Sequence, residues 1–107
     1  MNEEYLFKGK EKDSEKWLEW NAIAGIPRNV SILTDTICRC TGLRDKNGKL
    51  IWENDIMKYQ WNGETRVDVV KYDAPMFSYK NVIRWSLHQD EVIGNVFDNP
   101  ELLEGGK

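Results

Sequence analysis

The sequence predicts a single, mainly β domain, built as a small antiparallel barrel or sandwich. The chain has 107 residues, which is the length of one domain. Apolar residues make up 40% of it and aromatic residues 11%, which is enough for a packed core. About six to eight short β-like segments recur roughly every ten residues, separated by turn residues, and this spacing is typical of small all-β folds.

The N-terminal third is predicted to form three strands. Residues 5–10 read as a short strand that leads into a charged turn at 11–15. Residues 16–23 fit a half-buried strand or a helix, and we favour a strand because Trp and Ile suit pleated surfaces. A turn cluster at 25–29 is followed by a run rich in β-branched residues at 30–38, which predicts the third strand.

The middle of the chain contains the clearest hairpin signal. Residues 42–49 include Asn47-Gly48, a pair that tolerates the positive φ angles of tight turns, and a short apolar run follows at 50–52. Residues 55–61 and 64–72 both alternate between apolar and polar side chains, and Asn-Gly lies between them. This combination predicts a β-hairpin.

The C-terminal part is predicted to contain further short strands and one helical turn. The strand-like runs lie at residues 76–79, 82–87 and 91–97. At residues 98–103, Asn, Pro and Glu follow one another in the order expected for an N-cap, a first helical position and a first turn. We therefore expect a short helix before the final glycines.

Composition and charge limit the function classes. Fifteen Lys and Arg against 18 Asp and Glu give a net charge of −3, so the chain has no general attraction for nucleic-acid phosphates or anionic lipid. No apolar run approaches the roughly 20 residues that span a bilayer, and acidic residues precede the first apolar stretch, unlike in a secretory signal. We expect a cytoplasmic protein that has no membrane partner.

The sequence offers no constellation for catalysis or metal binding. Cys38 and Cys40 would face the same side of a strand, where a disulfide between such near neighbours would be strained, so we expect reduced, partly buried thiols. His88 is the only histidine, and one histidine with two cysteines does not complete a zinc site. Five carboxylates scattered among turns are expected to have surface or turn roles: Asp35, Asp45, Glu53, Asp55 and Asp68. The sequence predicts a protein that is not an enzyme and needs no cofactor.

Tryptophans and a basic cluster supply the candidate interaction surface. Trp52, Trp61 and Trp85 fall in or beside predicted strands and are expected in the core or an interface, whereas Trp17 and Trp20 are the better candidates for exposure. Four cations lie close together in the sequence and are the one place where a basic patch is expected. The candidate surface therefore comprises Trp17, Trp20, Arg39, Arg44, Lys46 and Lys49.

Several stretches of the chain match one known family. They are Thr41-Gly42-Leu43-Arg44-Asp45-Lys46-Asn47-Gly48-Lys49, Ile51-Trp52-Glu53-Asn54-Asp55-Ile56, the segment from Glu91 to Leu103, and at the start Phe7-Lys8-Gly9-Lys10 and Trp17. In these stretches the chain resembles the YopX family of small phage and prophage proteins. The resemblance implies one domain over residues 1–107, with an N-terminal β segment over 1–40 and an SH3-like barrel portion over 41–103. It implies no activity. Asn54 stands where the family usually has Gly, and because Asn also adopts the left-handed conformation, we expect this turn to form.

Two functions of different classes are compatible with the sequence. The first is a non-enzymatic module that presents aromatic and edge-strand surface to a phage or host protein, or to copies of itself. The second is a nucleic-acid-associated accessory protein in phage replication or expression, which would use Trp17 or Trp20 with the cluster from Arg39 to Lys49. The negative net charge favours the first.

Overall fold

Two four-stranded antiparallel sheets form the architecture of the computed structural model, which describes residues 5–73, 76–79 and 89–105. The strands are β1 (Leu6–Lys10), β2 (Trp17–Asn21), β3 (Cys38–Arg44), β4 (Leu50–Trp52), β5 (Asp55–Trp61), β6 (Glu64–Asp73), β7 (Met76–Tyr79) and β8 (Glu91–Asn95). Their orders are β2-β1-β3-β4 and β7-β6-β5-β8. Helix in the described ranges is limited to α1 (Glu101–Gly105) and short 3₁₀ turns. The mainly β prediction is therefore confirmed.

The closed barrel that the resemblance implied is not confirmed. Neither sheet closes on itself within the described ranges, so each keeps two edge strands. Among the described strands, β2 and β4 are the edges of the first sheet, and β7 and β8 are the edges of the second. The observed fold is a pair of open antiparallel sheets.

The predicted hairpin is confirmed as the centre of the second sheet. Strands β5 and β6 pair from Ile56↔Val69 to Trp61↔Glu64. Asn62 and Gly63 form the turn with φ angles of 51° and 80°, which the Asn-Gly pair adopts at little steric cost. The alternating pattern directs Met57 and Tyr59 into the core.

The strand predicted over residues 30–38 is wrong for most of its length. The segment makes one isolated bridge, Glu11↔Ile32, and then a 3₁₀ turn at Thr34–Thr36. The reason is local hydrogen bonding: Thr36 Oγ1 donates to the Leu33 carbonyl and accepts from the Lys10 N–H, 2.6 and 2.8 Å away. Such side-chain bonds to the backbone compete with a strand ladder. The paired strand begins only at Cys38.

Strand β3 extends further than predicted because it contains a bulge. The predicted third strand ended at residue 38, but β3 runs from Cys38 to Arg44. Its pairing with β4 shifts between Cys40 and Arg44, where four residue steps of β3 span two of β4, and Gly42 has a φ of 79° there. A left-handed glycine accommodates the extra residues of such a bulge. The tight turn around Asn47 and Gly48 forms as predicted.

Two hydrophobic clusters meet at β4. One cluster contains Ile51 and packs with the second sheet; its members are Ile51, Met57, Tyr59, Val70 and Val92, with Trp61 against it. The other contains Trp52 and covers one face of the first sheet, together with Cys38 and Cys40. Successive residues of a strand point to opposite faces, so Ile51 and Trp52 connect the two clusters. The prediction that Trp52 and Trp61 contribute to the core is confirmed.

The turn between β4 and β5 joins the sheets. Asn54 has a φ of 73°, so the expected left-handed conformation is confirmed. Its N–H donates to the Val70 carbonyl at 2.8 Å, and its carbonyl accepts from the Val96 N–H at 3.1 Å. The residue thereby links the turn to β6 and to the segment that follows β8.

The C-terminal helical turn is also present, as α1. The predicted strand at 82–87, with Trp85, and His88 lie outside the described residues. Among the described residues, no helix is long and apolar enough to cross a membrane.

Candidate interaction surface

The two predicted tryptophans lie on opposite faces of the first sheet. They are three residues apart in β2, and an odd separation in a strand reverses the face. Trp17 shares a face with the cysteines, which we call the cysteine face. Trp20 pairs with Phe7 on the other face, which we call the glycine face because Gly9 lies at its centre. The two rings therefore cannot form one surface.

Trp20 is buried, so the prediction that it is exposed is wrong. Its side chain retains only 9% exposure, and its ring stacks on Phe7 with centroids 6.4 Å apart. The physical reason is Gly9, which has no side chain and lets Trp20, Ile32 and Ile37 pack over β1. The sequence signal for this burial is a glycine in the middle of a strand, which often marks close packing.

Trp17 is half-buried and belongs to a polar and aromatic cluster on the cysteine face. Its Nε1–H donates to Asp98 Oδ2 at 2.8 Å, and its ring lies 5.9 Å from that of Phe97. The Lys8 ammonium lies between two rings, 4.5 Å from the centroid of Trp17 and 4.9 Å from that of Trp52. These contacts fasten the segment after β8 to the first sheet, so they give Trp17 a structural role.

Asp98 is the anionic centre of that cluster. It forms an ion pair with the Lys10 ammonium and accepts from Trp17 and from Asn95 Nδ2. The hydrogen bond from Lys10, assisted by those from Trp17 and Asn95, outweighs the effect of burial and holds the pKa of Asp98 at about 2. Asp98 is therefore ionised throughout the neutral range.

Three of the four predicted cations come together on the β3–β4 turn. Arg44, Lys46 and Lys49 are all exposed there, and Arg44 Nη1 donates to the Gly48 carbonyl at 2.9 Å. Lys46 also lines a cleft of about 270 Å³ beside the start of β8, whose other lining residues are Lys58, Tyr59, Gln60, Gln89 and Asp90. The turn is thus a local basic patch in a protein of negative net charge.

Asp45 is buried among the three cations of this turn, and its carboxylate accepts hydrogen bonds from the turn backbone. Oδ1 accepts from the N–H groups of Asn47 and Lys49, and Oδ2 accepts from that of Val92, each at 2.9 Å. Burial opposes the ionisation of Asp45, but the three N–H groups outweigh it and lower the pKa of the carboxyl. One carboxylate therefore joins the β3–β4 turn to β8.

Arg39 lies apart from the other cations, on the glycine face. Its guanidinium carbon is 4.3 Å from the ring centroid of Tyr72, and its Nε is 4.0 Å from Glu53 Oε1. Both the Arg39 and the Tyr72 side chain are partly exposed. Arg39 therefore bridges the first sheet to β6 and is not part of the basic patch.

The expectation of surface or turn roles for the carboxylates is confirmed for Asp45 and Asp55, which are buried but bond to turn backbone, and is wrong for Asp68, which is buried in β6. Asp45, Asp55 and Asp68 are buried, with 5%, 3% and 8% exposure. Asp55 Oδ2 accepts the Trp52 N–H at 2.8 Å, which fixes the β4–β5 turn, so its turn role is confirmed. Burial raises the pKa of Asp55 to about 6 despite this bond and the nearby charges of Lys8 and Lys49.

Cys38 and Cys40 are both buried as reduced thiols on the same face, as their spacing predicted. Burial raises the pKa of the Cys38 thiol, although Asn54 Nδ2 donates to its sulfur at 3.6 Å. A thiol of this kind is unreactive. Across the described part of the chain, no three His, Cys, Asp or Glu side chains are grouped so as to hold a metal ion.

Sequence reasoning missed an exposed apolar group at one end of the first sheet. Ile23 is 88% exposed, Tyr5 49% and Ile26 48%. The Ala22 N–H donates to the Tyr5 carbonyl at 2.8 Å, which places the start of β1 beside the turn that carries Ile23 and Ile26. The missed signal is the composition of residues 22–27, a turn made almost wholly of apolar residues.

This apolar group adjoins an open strand edge. Strand β2 pairs with β1 alone among the described residues. The Lys16 carbonyl and the Ala22 N–H point toward β1, so by alternation the backbone groups of Trp17 and Glu19 point outward. We call Tyr5, Ile23, Ile26 and this outer edge of β2 the β2 edge surface.

The comparisons with known proteins place the chain in one family. The family model described as YopX protein matches residues 1–104. No curated protein matches the chain significantly. Among solved structures, the crystal structure of protein EF1440 from Enterococcus faecalis is similar, with a TM-score of 0.61 and 22% identity over 91% of this chain and 96% of that one. At this identity the likeness bears on the fold alone. Because the family model covers almost the whole chain, the protein belongs to the YopX family.

Proposed function

We propose that this chain is a phage or prophage protein of the bacterial cytoplasm that acts, without catalysis, as a protein-interaction module through the β2 edge surface. The observation that carries the proposal is that, among the described residues, an unpaired strand edge and three exposed apolar side chains lie at the same end of one sheet. Unpaired edges and clustered apolar side chains are both features that proteins cover in their functional state.

The physical basis is the gain from covering this surface. Burying one large aliphatic or aromatic side chain contributes about 1.5–3 kcal/mol. Outward N–H and C=O groups add directional hydrogen bonds to an extended partner, as in β-augmentation. Together they supply both affinity and a defined alignment, and Tyr5, Ile23 and Ile26 lie outside the two hydrophobic clusters.

The proposal is tested by capture followed by reconstitution. Tagged wild-type chain and an Ile23→Ser/Ile26→Ser variant are exposed to lysate of a lysogenic bacterium, and each captured protein is purified and titrated against both. Leu33→Ser is the matched control, because Leu33 is 36% exposed and lies beside Lys10, at the opposite end of β1. We expect a partner whose Kd rises at least tenfold with the double variant and not with the control. Equal affinity for all three chains would refute the proposal.

The basic patch supports a second candidate function, association with single-stranded nucleic acid. One turn carries three exposed cations, Arg44, Lys46 and Lys49. Lysine and arginine side chains bind nucleic-acid phosphates with an affinity that falls as salt concentration rises. The test is fluorescence anisotropy of a labelled oligonucleotide at low and high salt. Replacing these three residues by Gln should abolish binding, whereas Lys12→Gln/Lys16→Gln should not. Absence of binding at low salt would eliminate this candidate.

A further inference from the structure

We propose that the occupant of the β2 edge surface is an extended segment of a different protein, which adds to β2 as an antiparallel strand with a lysine or arginine opposite Glu19. This inference rests on the proposed function and names the partner's chemistry.

The open backbone groups define the alignment. Trp17 and Glu19 direct their N–H and C=O groups outward, whereas the Asn21 carbonyl already accepts the Gly25 N–H at 2.8 Å. The turn after β2 therefore closes the ladder at Asn21. An added strand would make its narrow hydrogen-bonded pairs opposite Trp17 and Glu19, with Glu19 nearest the apolar side chains of the surface.

Charge selects a cationic partner. Glu19 is exposed at the middle of the edge, and within the described ranges its carboxylate forms no ion pair. Lys8, its cross-strand neighbour in β1, is held between the Trp17 and Trp52 rings. The segment over residues 11–19 has more acidic than basic side chains. It contains four acids, Glu11, Asp13, Glu15 and Glu19, and two lysines, Lys12 and Lys16. Opposite charges directly across a strand pair stabilise the pairing.

The same carboxylate disfavours a second copy of this chain. With outward groups at Trp17 and Glu19, an antiparallel β2–β2 pair has three alignments. When Glu19 faces Glu19 of the other copy, the two carboxylates lie directly opposite each other; when Glu19 faces Trp17, the two Glu19 residues lie diagonally, about 7–8 Å apart on the same face. When Trp17 faces Trp17, Glu19 lies toward the acidic turn before β2 of the other copy, which contains Glu15. All three bring like charges together, and a charged residue in an edge strand is a common protection against self-pairing.

The direction of the added strand places the rest of its sequence. In an antiparallel pair, residues before the cation of the partner run past Asn21 toward Ile23 and Ile26. Those two side chains, with Tyr5, offer apolar area and no charge. The partner segment is therefore expected to be apolar on the N-terminal side of its lysine or arginine.

The inference is tested with a random-peptide display library selected on the immobilised chain. We expect selected peptides with a basic residue preceded by apolar ones. Affinity should fall about three- to thirtyfold in Glu19→Lys, from the loss of an attractive pair and the gain of a repulsive one. A charge-swapped peptide with Glu in place of the basic residue should recover binding to that variant. Lys16→Glu is the control, since it changes charge beside the same edge on the opposite face.

The outcomes separate the inference from the proposed function. Peptides that respond to Ile23→Ser/Ile26→Ser but not to Glu19→Lys would overturn the inference and leave the proposed function standing. Peptides that respond to neither would overturn both. A dimer in sedimentation equilibrium that Glu19→Lys dissociates would overturn the inference by showing that a second copy occupies the edge. Circular dichroism of each variant verifies that the sheets are intact.

Discussion

Replacing Gly9 by alanine should destabilise the protein because three side chains occupy the place of the new methyl group. A Cβ at this position would lie 2.7 Å from Ile32 Cγ2, 3.2 Å from Trp20 Cη2 and 3.3 Å from Ile37 Cγ1. Carbon atoms are comfortable at about 3.5–4.0 Å, so the Ile32 methyl must move by roughly 1 Å. Ile32 is β-branched and stiff about χ1, which prevents an easy rotation.

The expected net effect is a loss of about 1–2 kcal/mol in the free energy of unfolding. Overpacking of this kind costs about 1–3 kcal/mol, and replacing a strand glycine by alanine returns roughly 0.5–1 kcal/mol of backbone entropy. Urea unfolding measures the difference as a fall in midpoint of about 0.5–1 M for an m-value of about 2 kcal/mol/M.

A double-mutant cycle distinguishes crowding from a general intolerance of alanine. Ile32→Ala removes the nearest methyl group, so Gly9→Ala in that background should cost little or increase stability. The coupling between the two positions should be at least about 1 kcal/mol. Additive effects would show that Ile32 does not crowd Gly9, and the packing explanation of Trp20 burial would then be wrong.

Three further predictions concern the turns. Burial raises the pKa of Asp55 to about 6, so between about pH 4 and 6 the folded state holds a proton that the unfolded state has lost. The free energy of unfolding should therefore fall by about 2–3 kcal/mol as pH rises through this range. Urea unfolding at a series of pH values measures this decline, and Asp55→Asn should remove it. Asp45→Ala leaves three backbone N–H groups unpaired and should cost at least about 2 kcal/mol in the same assay, whereas the exposed Asp35→Ala should stay within about 0.5 kcal/mol. Asn54 has a left-handed φ, so Asn54→Ala should lower the melting temperature by several degrees, corresponding to about 1 kcal/mol. Asn54→Gly should lower it less, because glycine adopts a positive φ without strain. Equal effects of the two substitutions would contradict the φ argument.

The parts of the fold that follow from local sequence were predictable. The β5–β6 hairpin, the Asn54 turn and the C-terminal helix each depend on residues close together in the chain, where glycine and asparagine permit a positive φ and proline fixes φ at a helical value. The pairing of β1 with β3 and of β5 with β8 joins distant segments, and nothing local specifies those partners. The barrel expectation was not confirmed for this reason, because closure depends on which distant edges pair.

The candidate site was predictable only in part for the same reason. Arg44, Lys46 and Lys49 lie exposed on one turn because they are close neighbours in the sequence. Trp17 and Trp20 were assigned together to a surface, but strand alternation divides them and Gly9 creates the space that buries Trp20. The apolar turn at residues 22–27 was visible in the sequence, yet only the position of Tyr5 beside it reveals a combined surface.

The position of the β2 edge surface in the fold bears on how it can function. Adjacent residues of β4, Ile51 and Trp52, belong to different clusters, so β4 and the turn at Asn54 form one link between the sheets. Trp17 forms another through its hydrogen bond to Asp98. The side chains of Glu19, Ile23 and Ile26 are exposed and belong to neither hydrophobic cluster. Substitutions at these three positions should therefore alter binding while leaving the free energy of unfolding within about 0.5 kcal/mol of the wild type, as for other exposed positions.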